Sequence, residues 1–293
     1  MKNLIKYYYD LLIYEYKKKD DKFLFTINNI EYEFVIFLGN PNTLIEIYNL
    51  LISNNVYCHE ILVNKDNSII TYYENKMYLL LKKNNNNNDL IILNDIINYD
   101  RFIKIEENIN WKNLWQEKID YYEYQINQLG IKYKILRESF GYYVGLCENA
   151  IVLLNYINEK KIKKHITHRR IEVDQKKENF HNPLNIIVDN ITRDIAEYIK
   201  INIINEKIDD NIILNYLYYI NLDQNEYILL FARLLYPSYY FDEYDKIIQD
   251  IIPEEKINLI IKKNTHYEMF LKNVYDIIKM KCNFPQIEWL ESK

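Results

Sequence analysis

The stretch that decides the fold runs from His165 to Lys200 and reads HITHRRIEVDQKKENFHNPLNIIVDNITRDIAEYIK. Its middle holds a short apolar run, Ile186 to Val188, which is typical of a buried strand. Asp189 follows the run directly, and carboxylates of this kind can hold a divalent cation. Histidines and basic residues precede the run, and helical sequence follows it. The stretch therefore predicts where the functional site lies, whether or not that site is still active.

Phosphoryl transfer needs a carboxylate that orients the attacking hydroxyl, an Asn and an Asp that hold magnesium, and a Lys on the phosphates. The triplet His168-Arg169-Arg170, then Asp189, then Arg193-Asp194-Ile195-Ala196 resembles the active-site segment of aminoglycoside-phosphotransferase-like kinases. That family has a His-Gly-Asp triplet, so Arg170 takes the place of the base and Gln175 that of the metal Asn. Asp189 is then the metal ligand. Asp194 is a structural carboxylate that caps the helix or pairs with Arg193 or Arg169.

A second register aligns Pro183 to Asp189 with the family's Pro-Gly-Asn-Ile-Leu-Val-Asp. It keeps the metal Asn as Asn185 but places Phe180 at the position of the base. Both registers lose the catalytic carboxylate. We favour the first register because it also accounts for Arg193 to Ala196.

The resemblance extends along the chain. Gly145 to Ile151, Leu234 to Phe241 and Pro285 to Leu290 are similar to a spore-coat-associated branch of the aminoglycoside-phosphotransferase and protein-kinase-like superfamily in Bacillus-type bacteria. Toward the N-terminus the resemblance depends on the order of elements alone. It implies an α+β, two-lobed protein-kinase-like fold. We expect a β-rich N-lobe at residues 1–83, a hinge and connecting segment at 84–110 around the polar run Asn84 to Asn88, and a helical C-lobe at 111–293.

Two features of a nucleotide-binding N-lobe are missing. The chain has four glycines, none of them in the first predicted hairpin, although close backbone approach to a triphosphate normally uses glycine. The strand Glu31 to Phe37 carries no Lys. With the lost base, these absences predict a pseudokinase for which no cofactor is expected. The alternative is a divergent ATP-dependent small-molecule phosphotransferase, in which Asn185 and Asp189 hold residual magnesium and nucleotide.

Composition excludes several classes of protein. An apolar content of 49% is enough for a substantial core. The net charge of −5 provides no global basic field, so nucleic acid is not an expected partner. Three widely spaced cysteines, Cys58, Cys147 and Cys282, fit neither a disulfide framework nor a zinc site. No signal peptide or long apolar run is visible, which favours a soluble, intracellular protein without a membrane span.

Other polar groups in the stretch have simpler interpretations. His165, His168 and His181 lack the context of a known zinc motif, so no transition-metal site is expected there. The basic group could bind a phosphorylated or acidic partner, but its default state is a solvated loop. That group consists of Lys160, Lys161, Lys163, Lys164, Arg169 and Arg170. The aromatic segment Leu234 to Phe241 is expected to pack within the C-lobe, with partner docking as the alternative.

The resulting hypothesis is a catalytically degraded kinase-like protein that acts as a binding or scaffold factor. The resemblance implies a role in spore formation or coat assembly, with coat proteins among its partners. It also implies a location in the mother-cell cytoplasm or in the spore coat. Composition alone indicates none of this.

Overall fold

The computed structural model describes residues 1–19, 21–83, 90–99, 102–103 and 110–292. The predicted hinge run Asn84 to Asn88 lies outside the described residues. The chain forms two compact units. Unit 1 comprises Met1–Arg101 and Ile166–Val188, and unit 2 comprises Phe102–His165 and Asp189–Lys293. Residues 166–188 of the predicted site thus belong to unit 1, whereas Asp189 belongs to unit 2. The proposed boundaries of the lobes stay a prediction.

Unit 1 is built on an antiparallel sheet of six strands in the order β1-β2-β3-β6-β4, with β5 paired to β6. The strands are β1 (Lys17–Lys19), β2 (Lys22–Ile27), β3 (Ile30–Phe37), β4 (Glu60–Leu62), β5 (Thr71–Tyr73) and β6 (Lys76–Lys82). The predicted hairpin is confirmed, with Phe25 opposite Tyr32. Asn28 and Asn29 form its turn, both with positive φ, as two-residue hairpin turns require.

Two helices cover the sheet of unit 1. Helix α1 (Lys2–Tyr9) adds Leu4 and Ile5 to a core with Phe23 and Phe34. Helix α2 (Pro41–Ser53) contributes Leu44 to a separate core. The sequence pattern predicts a first helix from Leu4 to Lys17, but α1 is shorter, because Asp10 adopts a left-handed conformation that ends it. The residues that follow lead into β1, a strand that the sequence did not predict because lysine is a poor strand former.

The remaining part of unit 1, residues 166–188, comes from later in the chain, and its strands lie outside the six-stranded sheet. Helix α3 (Leu93–Tyr99) precedes it in sequence, and the isolated bridge Leu90↔Lys176 joins the two segments. Strand β8 (Lys164–His168) pairs with β9 (Ile186–Asp189), which confirms the predicted strand before Asp189. Of its apolar run only Ile186 is buried, and Ile187 and Val188 are half-buried. Between them lie helix α6 (Lys177–Phe180) and a single 3-10 turn (Pro183–Asn185). Leu184 packs onto the core that contains Leu44.

Unit 2 is helical apart from β7 (Phe102–Ile103), which pairs with the first residues of β8. Its helices are α4 (Trp111–Leu129), α5 (Lys134–Leu154), α7 (Thr192–Ile204), α8 (Asp210–Tyr219), α9 (Gln224–Leu235), α10 (Ser238–Ile248), α11 (Asn258–Ile261), α12 (Asn264–Lys281) and α13 (Glu288–Glu291). Helix α9 packs against both α5 and α7, and nearly all of its side chains are buried. The sequence pattern predicts one helix from Glu254 to Lys263, whereas the structure has a 3-10 helix, Glu254–Ile257, followed by α11.

The aromatic segment Leu234 to Phe241, which spans the end of α9 and the start of α10, packs as predicted. Tyr240 is fully buried and stacks on Tyr143 of α5, with ring centroids 3.6 Å apart. Tyr236 stacks on Trp115 of α4. These contacts fasten the start of α10 to two other helices. Among the described residues, no helix has both the length and the apolar character needed to cross a bilayer.

Candidate functional site

Asp189, the last residue of β9, is 1% exposed and surrounded by hydrogen-bond donors. Its Oδ2 atom lies 2.8 Å from Arg233 Nη2 and 3.2 Å from Arg193 Nη1. Its Oδ1 atom accepts hydrogen bonds from the backbone N–H of Asn190 at 2.7 Å and from Trp111 Nε1 at 3.2 Å. Both carboxylate oxygens are therefore occupied by groups of unit 2.

The charges around Asp189 are those of a structural ion pair. The guanidinium of Arg233 lies over the Trp111 ring at 4.6 Å, and that of Arg193 at 5.2 Å. Burial lowers the pKa of Arg233, and the Asp189 carboxylate opposes that shift. A magnesium ion needs oxygen ligands and would be repelled by two guanidinium cations. This donor set does not fit the predicted role of Asp189 as a metal ligand.

In unit 1, Asn185 is engaged by the backbone of Arg170. Asn185 Oδ1 accepts a hydrogen bond from Arg170 N–H at 3.1 Å, and Nδ2 donates to the Arg170 carbonyl at 2.6 Å. The backbone N–H of Arg169 also donates to the Asn185 carbonyl. The Asn of the second register thus lies beside the base position of the first, so the two registers describe neighbouring parts of one loop. Asn185 closes this loop, and its oxygen is committed to that role.

His168 is fully buried and serves the same loop. Its Nε2 atom lies 2.9 Å from the Phe180 carbonyl, and its ring stacks on that of Phe180 at 3.8 Å. Phe180, the base position of the second register, is therefore a core residue. Gln175, the metal-Asn position of the first register, is also buried. Its backbone carbonyl accepts a hydrogen bond from the backbone N–H of Ile91. Each of these positions packs or anchors the backbone.

Two further histidines hold the same segment. His59 lies just before β4, where its backbone N–H donates to the His181 carbonyl and its Nε2 lies 3.0 Å from the Glu178 carbonyl. Burial lowers the pKa of His59. Burial, together with His59 and His168, lowers the pKa of His181 to about 4. Neutral imidazoles are thus favoured at this position. In the described parts of the chain, no group of His, Cys, Asp or Glu could hold a metal ion.

Lys83, directly after β6, is a half-buried cation of unit 1. Its ammonium group is hydrogen-bonded to Glu178 and lies 3.7 Å from Glu33 and 3.6 Å from Glu31. Burial opposes the charge on Lys83, but these carboxylates outweigh it and raise its pKa. Strand β3, where a kinase-like site would carry Lys, instead carries the buried Glu33. Lys83 is thereby neutralised within unit 1.

The other predicted site residues have structural surroundings. Asp194 is buried in the first turn of α7, where the helix dipole favours a carboxylate. Arg193 pairs with Asp189, and Arg169 is exposed. Within the basic group, Lys163 lies 3.6 Å from Asp223 and 3.7 Å from Glu226.

Sequence reasoning missed the partners of Asp189. Arg233 stands alone in the apolar run Ile228 to Leu235 of α9. A single arginine in such a run signals a buried carboxylate partner, because an unpaired buried charge is strongly disfavoured. Trp111 gave no comparable signal. Neither did His59, which lies far from the predicted site in sequence.

Comparison with known proteins identifies relatives of the whole chain. The model of the family described as "Spore coat putative kinase YutH" matches residues 2–274. The endospore coat-associated protein YutH of Bacillus subtilis (strain 168) is 27% identical over 207 residues, which cover 61% of this chain and 61% of that protein. The match thus spans about three fifths of that relative's length.

Two solved structures share the fold. An aminoglycoside phosphotransferase from Alicyclobacillus acidocaldarius subsp. acidocaldarius DSM 446 has a TM-score of 0.63 at 10% identity, covering 93% of each chain. Spectinomycin phosphotransferase APH(9)-Ia, solved with ADP and spectinomycin, has a TM-score of 0.62 at 12% identity, covering 94% of this chain and 97% of that one. These likenesses establish the kinase-like α+β fold.

Proposed function

The chain belongs to the spore coat putative kinase YutH family, and from that premise we propose that it is a non-catalytic kinase-like protein that acts as a binding or scaffold factor at the endospore coat. The observation that carries the proposal is the pairing of Asp189 with Arg193 and Arg233. The residue that the resemblance makes a metal ligand already has two cationic partners. Neither magnesium nor ATP is needed to stabilise it.

Three further contacts support the loss of phosphoryl transfer. The position of the base holds Arg170, whose backbone is bound by Asn185. Strand β3 carries Glu33 rather than a Lys, and a buried carboxylate there would repel a triphosphate. Lys83, a half-buried cation of unit 1, has carboxylate partners of its own. Asp189, Asn185 and Lys83 thus each have partners within the protein.

A second candidate function is phosphoryl transfer to a small hydroxylated molecule. It is favoured by one observation, the fold shared with two phosphotransferases. Fold alone does not specify activity. This candidate would require the Asp189 pair to open so that a metal could bind, and the loop around Arg170 would have to supply another base.

The role at the coat is supported by the family and by the relative described as endospore coat-associated. We propose that the partners are coat proteins and that the protein is located in the mother cell or in the coat. A fluorescent fusion in sporulating cells tests this. Signal that forms a shell around the forespore supports the coat role, and signal that stays diffuse through coat assembly contradicts it.

Titration of ATP with magnesium into the purified protein by calorimetry tests the loss of nucleotide binding. We expect no saturable heat up to millimolar ATP, for the wild type and for Asp189→Ala alike. A functional aminoglycoside phosphotransferase serves as the positive control. Saturable binding that disappears in Asp189→Ala would overturn the proposal and favour the phosphotransferase.

A further inference from the structure

The outer strand of the unit 1 sheet has a free edge with an unusual charge. Strand β1 consists of Lys17, Lys18 and Lys19, all exposed. Among the residues that the structure describes, its strand partner is β2. An edge strand presents unpaired backbone N–H and C=O groups on its outer side. This edge therefore offers hydrogen bonds and positive charge together.

The positive charge is concentrated in β1. Residues 17–19 are all lysines, whereas Lys2 and Lys6 are offset by Asp10 and Glu15, and the whole chain has a net charge of −5. A further lysine, Lys65, lies beside α1: its ammonium group lies over the Tyr7 ring, and its backbone N–H donates to the Tyr8 carbonyl. A local basic surface on an acidic protein selects for an anionic partner.

The segment leading into β1 is held in place and presents aromatic rings. Lys2 Nζ donates a hydrogen bond to the Tyr14 carbonyl, which ties this segment to α1. Tyr14 is 85% exposed and Tyr16 is 40% exposed. Tyr16 also contacts Phe23 of β2 edge-to-face, with ring centroids 5.5 Å apart. Exposed tyrosines beside an edge strand are typical of contact surfaces.

From these features we propose that the outer edge of β1 binds an acidic, extended segment of a partner protein, which adds a strand to the unit 1 sheet. An extended peptide satisfies the N–H and C=O groups of the edge through strand addition. Its carboxylates pair with the β1 lysines. A lipid surface or a nucleic acid supplies the charge but not the backbone hydrogen bonds.

The lysines also decide against a second copy of this chain. Two β1 strands joined edge to edge would bring their lysines to about 5 Å of one another. Like charges at that spacing destabilise a strand pair. The same residues that block self-association therefore select an acidic strand. The inference rests on the binding role proposed above and gives that role a surface.

A peptide of alternating glutamate and threonine, labelled with fluorescein, is the probe for this edge. Fluorescence anisotropy with the full chain should show saturable binding that weakens as salt is added. A peptide of equal charge, with proline in place of two threonines, should bind at least about tenfold more weakly because proline removes ladder N–H groups. A peptide of alternating lysine and threonine should not bind.

Matched charge reversals locate the site. The double variant Lys17→Glu with Lys19→Glu should weaken binding of the glutamate peptide at least about tenfold, a loss of about 1.4 kcal/mol. The control, Lys160→Glu with Lys161→Glu, makes the same charge change in unit 2 and should bind like the wild type. If the first variant melts early, Lys17→Gln with Lys19→Gln takes its place.

The proposal is overturned if the glutamate peptide does not bind at millimolar concentration, or if the β1 and control variants weaken binding equally. It is also overturned if the proline-containing peptide binds as well as the probe, since charge alone would then suffice. The nucleotide titration separates the two proposals. ATP binding would contradict the non-catalytic role and leave the peptide result unaffected. Absence of peptide binding alone would contradict only the proposed binding at the β1 edge.

Discussion

Arg233 Nη2 lies 2.8 Å from Asp189 Oδ2, and both side chains are buried, at 5% and 1% exposure. Asp189 ends a strand, whereas Arg233 comes from the middle of α9. A buried ion pair of this kind is costly to break, because removal of one partner leaves an uncompensated charge. The pair is thus a structural element of unit 2.

Asp189→Ala should destabilise the protein by about 3–5 kcal/mol, since Arg233 and Arg193 lose their shared carboxylate. Urea unfolding followed by circular dichroism measures this. The double variant Asp189→Ala with Arg233→Met should recover part of the loss, because the unpaired buried cation is gone. A metal-ligand role alone predicts no loss of stability in metal-free buffer, so an unchanged unfolding midpoint for Asp189→Ala would contradict the structural role.

Asn185→Ala should loosen the loop that contains Arg170. The substitution removes two hydrogen bonds to the Arg170 backbone and leaves its N–H without that acceptor, for a loss of about 1–3 kcal/mol. Hydrogen exchange by mass spectrometry should show faster exchange across residues 169–182. Asn205→Ala, which removes an exposed side-chain bond to Ile201, is the control and should leave that segment unchanged. Equal protection in both variants would refute the prediction.

Stability should fall as the solution becomes acidic, in part through His181. Its pKa is about 4 in the folded protein, against about 6.5 in an unfolded chain. Between these values the unfolded chain binds the proton more readily, so acid favours unfolding. The contribution is complete above about pH 6.5 and is lost as pH falls toward about 4. We expect a loss of about 2 kcal/mol, reduced because the side chain is partly exposed.

Unfolding free energies measured across this pH range test the role of His181. His181→Gln should flatten the pH dependence, since the neutral amide cannot take up a proton. His266→Gln, which replaces a histidine of unit 2 bonded to Asp210, is the control and should not flatten it. A wild-type slope that survives in His181→Gln would assign the acid sensitivity to other groups.

The three cysteines should differ in reactivity. Cys147 is 0% exposed and burial raises its pKa, and burial raises the pKa of Cys58 to about 11. Cys282 is only partly buried. Because the thiolate is the reactive form, a thiol reagent at mildly alkaline pH should label Cys282 first, and Cys282→Ser should lose this labelling. Rapid labelling of Cys147 in the folded protein would contradict its burial.

Local signals made much of the fold predictable. Asn28 and Asn29 between two β-rich runs predicted the hairpin, because Asn tolerates positive φ. Pro41 and Asn42 before an apolar stripe at helical spacing predict α2. The structure adds the cap, which is the side chain of Asn40. The end of α1 at Asp10 and strand β1 were not predictable, because a left-handed Asp and a run of lysines have no distinctive local pattern.

The candidate site was only half predictable. The sequence located Asp189 and showed that the base, the strand Lys and the glycine loop are missing. It also left two registers open for the segment around Arg170. Asn185, the metal Asn of the second register, contacts Arg170, the base position of the first. The two residues are neighbours in space although a loop separates them in sequence.

By itself, the sequence determined the family and the kinase-like α+β fold, because these depend on residue identity and local pattern. The loss of the groups that phosphoryl transfer needs stays a prediction from the sequence. Only the tertiary structure decided which partners the buried polar residues, such as Asp189 and His59, contact. Asp189 meets Arg233 because α9 packs on α7, and His59 meets the loop before β9 because the strands of unit 1 bring them together. Buried charges and imidazoles need partners, and folding supplies them from parts of the chain that no local pattern connects.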